Sequence, residues 1–191
     1  EGEMRQTVKI TRYELPNFAV KTKPDRAFYL SGQNAEVEIR ADYLFGQPVT
    51  KGKVRVVRET GRQWNYRLQK WESDEAETYE GEADAAGKFT AKIDLTAAHK
   101  DFADETYRRF KDLSYGVYFT DQTTGRTEQK RFDLRVTREP IHVYFTGSEY
   151  YQPKGLPMQF YVSASYADGT PAACDITISK QPRRSGKIDA D

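Results

Sequence analysis

The chain has 191 residues, of which 37% are hydrophobic, 31% charged and 13% aromatic. That supply of aromatic side chains argues against disorder and leaves room for one or two domains with real cores. Its 30 basic and 29 acidic residues are interspersed and give a net charge of +1, so no nucleic-acid or anionic-membrane footprint follows.

The dominant pattern is alternation of apolar and polar residues, which puts one set of side chains on a core face at period two. In chain order it predicts strands at Val8–Thr11, Phe18–Lys21, Ala35–Ala41, Lys53–Val57, Trp64–Leu68, Phe89–Leu95, Tyr115–Phe119 and Phe132–Val136. Turn signals lie between them at Pro24-Asp25, Ser31-Gly32, Gly46-Gln47-Pro48, Ala86-Gly87 and Thr124-Gly125-Arg126. Short strands at this spacing indicate an all-β, immunoglobulin-like or fibronectin-like antiparallel sandwich. One segment departs from the pattern. Thr96–Phe110 places Ala98, Phe102 and Phe110 on one helical face with Thr96 as N-cap, which predicts a short helix in a connection between strands. The acidic run Glu72–Glu77 reads as an exposed loop or a ragged strand edge.

An internal repeat is the most informative feature. Val37–Val49 aligns with Phe160–Ala172: each is a strand followed by a Tyr, a Gly turn and a Pro two places on. Upstream, Phe28-Tyr29 matches Tyr150-Tyr151; downstream, Val54 and Val56 match Ile176 and Ile178. The chain therefore holds the beginning of a second sandwich. The tail after Ile178, Lys180–Lys187, is polar and too short to finish it. With no signal peptide at Glu1-Gly2-Glu3-Met4, the sequence reads as a piece cut from a longer protein, ending at Asp191 inside a domain.

Chemistry-bearing residues are few. His99 and His142 lie far apart without Cys or carboxylates at ligand spacing, so no zinc site or His-based triad is expected. His99 reads as an exposed helix residue and His142 as a strand or linker residue. The single cysteine, Cys174, forms no internal disulfide and reads as a small buried hydrophobe in a strand. Absence of bridges in an extracytoplasmic module leans toward a bacterial source. Trp64 and Tyr66 share a face and read as core, with Trp71 opposite. Arg108-Arg109 and Arg183-Arg184 are dibasic pairs that a protease could cut, with a solvated surface as the plainer reading. Neither catalytic residues, cofactor-binding residues nor metal ligands are assigned, and an enzyme is disfavoured because no acid, base and nucleophile set can be assembled.

The segment Tyr13-Glu14-Leu15-Pro16-Asn17-Phe18-Ala19-Val20, then Pro24-Asp25-Arg26-Ala27-Phe28-Tyr29-Leu30-Ser31-Gly32, and finally Tyr43-Leu44-Phe45-Gly46-Gln47-Pro48-Val49, resembles the entry into the third macroglobulin domain of the alpha-2-macroglobulin and complement family. The resemblance implies that residues 1–12 close a preceding macroglobulin domain, 13–137 form a complete one, and 138–191 open a following, truncated one. The Phe102–Phe110 insertion is longer than the family pattern, and Tyr151-Gln152-Pro153-Lys154-Gly155 has one residue more than its usual turn. The family traps proteases when bait-region cleavage collapses a ring of macroglobulin domains, sometimes with a Cys-Gly-Glu-Gln thioester. That tetrapeptide is not in this chain, where Asp175 follows Cys174. The implied role is a non-catalytic scaffold segment of an extracytoplasmic endopeptidase inhibitor. Its implied partners are neighbouring domains of the parent, proteases through the parent, and a second copy through the incomplete second sandwich. A cell-surface adhesion module of immunoglobulin-like type is the alternative.

Overall fold

The computed structural model describes residues 17–67, 69–147 and 160–177, with backbone alone at 62–63 and 70–73. The expected strand Val8–Thr11, the motif Tyr13–Pro16, the segment Tyr150–Gly155 and Ile178 lie outside those residues. The chain divides into two units, the first ending at Glu139 and the second beginning at Pro140.

Unit one is a sandwich of two antiparallel sheets. Strands β1 (Phe18–Pro24), β2 (Ala35–Tyr43) and β5 (Lys88–Ile93) form one sheet in the order β1-β2-β5. Strands β3 (Gly52–Asn65), β4 (Lys70–Glu82), β6 (Phe110–Asp121) and β7 (Thr127–Thr137) form the other in the order β4-β3-β6-β7. The period-two pattern sorts their side chains cleanly: Ala35, Val37, Ile39 and Ala41 of β2 are fully buried while their sequence neighbours are not. Facing them, Val54, Val56, Leu113, Val117 and Phe119 complete one core. Burial of such side chains, at about 1.5–3 kcal/mol each, is what holds the layers together.

A segment between β1 and β2 crosses from one sheet to the other. Tyr29 donates its N–H to Arg135 O (2.8 Å) and accepts from the N–H of Thr137 (3.0 Å), pairing parallel to Val136 of β7. Its buried hydroxyl is satisfied by Asp25 Oδ1 at 2.7 Å.

The long hairpin differs from expectation. The run predicted at Lys53–Val57 continues without a break through Trp64 and Asn65 as one strand, β3, whose register against β4 shifts at Val57/Glu59 and again at Thr60/Arg62. It ends at Asn65, whose side-chain oxygen accepts the N–H of Arg67 (3.0 Å) and starts the turn. Pairing of β3 with β6 stops at Arg58, so the far end of the hairpin is a two-stranded ribbon beyond the sheet. Trp64 and Tyr66 sit there 38% and 85% exposed, so they are not the core residues expected. The acidic run falls in β4, the sheet edge, where Glu75 and Glu77 pair with Arg55 and Arg58 of β3. Charge along an edge discourages pairing with another chain.

Helix α1 (Thr96–Asp104) is shorter than predicted. Ala98 and Phe102 do face the core, but Phe110 opens β6, paired with Thr137. Leu95, not Thr96, occupies the N-cap position, and no side chain caps the helix. Asn34 and Asp94 instead accept the N–H groups of Leu95 and Thr96 (3.0 and 2.9 Å), fixing the entry into the first turn from outside the helix.

Unit two contains β8 (Ile141–Gly147) and β9 (Phe160–Tyr166), paired antiparallel. Its register copies that of β1 and β2 at an offset of 123 residues: Phe18↔Tyr43 becomes Ile141↔Tyr166, and Val20↔Ala41 becomes Val143↔Ala164. The turn is copied bond for bond. Tyr43 N–H to Gln47 O and Val49 N–H to Ala41 O recur as Tyr166 to Thr170 and Ala172 to Ala164, and Leu44 to Asn17 recurs as Ala167 to Pro140. Gly46 and Gly169 both have φ near 90°, a left-handed conformation that only glycine adopts without steric cost.

Candidate interaction surfaces

The residues with chemical potential are scattered. His99 is half-buried rather than exposed, because α1 tilts it toward Gln33, whose carbonyl oxygen lies 3.3 Å from Nε2. His142 lies on β8, buried, opposite Ser165. Cys174 is exposed in a stretch without strand structure, so it is not the buried strand residue expected. Among the described residues no third strand joins β8 and β9 to shelter this segment. Arg108 and Arg109 are exposed between α1 and β6, whereas Arg183-Arg184 lies outside the described residues. Among the described residues no group of three His, Cys, Asp or Glu side chains is placed to hold a metal ion. No described helix is long and apolar enough to cross a membrane.

Two polar clasps position the ends of the sandwich. Tyr43, at the end of β2, donates its hydroxyl to Asp121 Oδ2 at 2.8 Å, joining the two sheets. Asp121 also accepts from Thr124 Oγ1 (2.7 Å) and the N–H of Thr123 (2.9 Å). Burial pushes this carboxyl up, but the three donors outweigh it and hold it below the usual carboxylate range. At the opposite corner Asp25 takes the Tyr29 hydroxyl and the N–H of Glu36 (3.0 Å). There too burial raises the carboxyl and the donors lower it further than burial lifts it.

The outer face of the four-stranded sheet carries a shallow hollow of about 520 Å³, bordered by Lys53, Arg55, Glu80, Glu82, Tyr118 and Thr127. Arg55 is held by Glu75 at 2.8 and 3.3 Å and lies 4.9 Å over the Tyr118 ring. Two cations face two carboxylates across the rim, so the hollow has no net preference for an ion of either sign. It reads as a solvated ladder of cross-strand pairs.

The face of β8 and β9 that corresponds to the inner face of β1 and β2 is different in kind. It presents Ile141, Val143, Phe145, Phe160, Val162, Ala164 and Tyr166. Their counterparts in unit one, such as Phe18, Val37, Ile39 and Ala41, are 0–1% exposed. Here Val143 is 39%, Phe145 58%, Phe160 42% and Tyr166 38% exposed, with the two Phe rings stacked 4.8 Å apart. A row of apolar side chains on one side of a hairpin is the pattern of a surface made to be covered.

Residues 12–102 match the family model for the macroglobulin domain MG3. Ophiophagus venom factor from Ophiophagus hannah is 26% identical over 187 residues, covering 95% of this chain and 11% of that protein. Complement C3 from Naja naja is 25% identical over 195 residues with the same coverages. Among solved structures, E. coli alpha-2-macroglobulin in its native conformation superposes with a TM-score of 0.48 at 11% identity, over 81% of this chain and 11% of that one. The chain thus spans 11% of the length of the relatives it matches.

Proposed function

We infer, for a chain that carries a macroglobulin domain of the MG3 family and is a relative of complement C3 and the venom factors, that its work is structural. It is a scaffold segment of an alpha-2-macroglobulin-like endopeptidase inhibitor, contributing to a ring of sandwiches and performing no catalysis of its own. Residues 1–12 finish one domain, 13–137 make the next, and 138–191 open a third. Its partners are those neighbouring domains, and proteases meet it through the parent protein, outside the cytoplasm.

The observation that supports this reading best is the repeat in register. Strands β8 and β9 reproduce β1 and β2 pair for pair, with an apolar inner face for another sheet to cover. A tandem array of like sandwiches is the simplest arrangement that uses such a hairpin. The test is to incubate the longer parent chain with a panel of endopeptidases. A trapped protease should keep its activity on a small peptide substrate and lose it on a macromolecular one. If the parent leaves both activities untouched for every protease, the inhibitor reading fails. Residues 1–191 alone should inhibit none of them.

A further inference from the structure

The α1–β6 connection is tied to the last residues of unit one by bonds that the two sheets do not themselves require. The backbone already gives the carbonyls at the end of α1 one donor each, Glu105 N–H to Phe102 O (3.1 Å) and Arg108 N–H to Glu105 O (3.2 Å), and a carbonyl oxygen can accept a second. Here Arg138, one residue past β7, donates its guanidinium to Phe102 O (3.0 Å) and to Glu105 O, with its plane 4.8 Å over the Phe102 ring. A cation is favoured at that end of a helix, and a planar guanidinium can serve two acceptors while stacked on an aromatic face. Beside it Oγ1 of the buried Thr137 lies 2.8 Å from Glu139 O and 3.1 Å from Arg109 O, so its one proton is shared between the two carbonyls. Between these anchors Thr106, Tyr107 and Arg108 are exposed; the Arg108 N–H closes a turn onto Glu105 O (3.2 Å), and its side chain makes surface contacts, to Glu105 at 3.4 Å and over the Tyr107 ring at 5.4 Å. Contacts of that kind hold weakly.

We propose that Arg138 latches this loop against the end of α1, and that the Arg108–Arg109 bond is a cleavage site for arginine-specific endopeptidases that the latch keeps closed. A protease must draw several residues into extended form. A short loop pinned at both ends yields them only by local opening. Cleavage after Arg108 adds one water across the peptide bond, leaving a carboxylate on Arg108 and an amine on Arg109. The next bond is better protected, because Phe110 is already paired with Thr137 in the β6–β7 ladder.

The experiment is limited trypsin digestion of the whole chain under native conditions, with fragments ending at Arg108, Arg109 and Arg126 quantified by mass spectrometry. When opening is fast relative to cutting, the rate tracks the open population. Loss of hydrogen bonds from a charged donor should raise that population about tenfold. Arg138→Ala, and Arg138→Met, which keeps an apolar stem, should therefore be cut after Arg108 about tenfold faster than wild type. Cutting after Arg126, in the β6–β7 turn, should be unchanged. The proposal is overturned if neither variant is cut faster after Arg108. It is equally overturned if cutting at Arg108 and Arg126 rises by the same factor in both, because the loop then opens only with the whole sandwich.

Discussion

At Gly52 and Gly81 the backbone itself is the floor on which aromatic rings rest. A Cβ built at Gly81 would stand 2.2 Å from a ring carbon of Phe89, and one at Gly52 would stand 2.2 Å from two ring carbons of Phe119. Neither has an unusual φ, so the requirement is for space rather than for conformation. Core rings packed to this density have nowhere to retreat. Gly81→Ala and Gly52→Ala should each lower the unfolding free energy by about 1–3 kcal/mol, the usual cost of an added core methyl group. Urea denaturation measures it. In a double-mutant cycle Phe89→Leu should recover part of the Gly81→Ala loss, since two side chains competing for one space are coupled. An unchanged midpoint for Gly81→Ala would mean that the Phe89 ring does not lie over β4.

Between elements, the bond from Tyr43 on β2 to Asp121 at the end of β6 fastens one sheet to the other, and its strength should follow pH. A carboxyl group whose folded pKa is depressed adds stability that is complete above its ordinary range and is lost as pH falls through the folded value. Asp121 is such a group. Tyr43→Phe removes one of its three donors, so the variant should be less stable than wild type at pH 7 by about 1.5–3 kcal/mol, the range for a hydrogen bond to a charged group. That gap should narrow as pH is lowered through the depressed pKa of Asp121, because a protonated carboxyl gains less from the tyrosine hydroxyl. Urea midpoints of both proteins, followed from pH 7 down until the carboxyl of Asp121 is protonated, give the comparison, and a gap unchanged by that protonation would exclude the ionised partner.

The strands were legible wherever one face is buried against the other sheet, because burial imposes period two on residues such as Val37, Ile39 and Ala41. The same rule misled at Trp64 and Tyr66, where the alternation continues past the last β3–β6 pair, Arg58 with Tyr115, into a two-stranded ribbon where both side chains are exposed. Phe110 was assigned to the helix because its spacing from Phe102 suits a helical face as well as it suits a strand start. The polar clasps had no local signal at all. Tyr43 and Asp121 are 78 residues apart, and Arg138 gives no hint in sequence that it closes a helix from 36 residues away. The repeat was legible through Tyr, Gly and Pro at a turn, but its register was not. Only strand pairing reveals that the hairpins match from Phe18 and Ile141 onward.

For the whole molecule, the consequence of the repeat is an apolar face that no second sheet covers among the described residues. A two-stranded hairpin is marginal by itself in water. Exposed aromatic and branched side chains in a row, Val143, Phe145 and Phe160 among them, favour association. At rising concentration the 191-residue chain should therefore sediment as progressively larger species and bind a hydrophobic dye. Phe145→Ser with Phe160→Ser should suppress both without moving the unfolding midpoint of the sandwich in unit one, since neither residue belongs to its core. On the proposed reading, in which a following sheet covers the hairpin as the β4-β3-β6-β7 sheet covers β1 and β2, the parent chain should bind little dye. A wild-type chain that stays monomeric and dye-free at every concentration would mean that its own residues already cover the face. The double substitution would then be expected to destabilise unit two rather than to solubilise it, so the two serines separate an open docking face from a closed one.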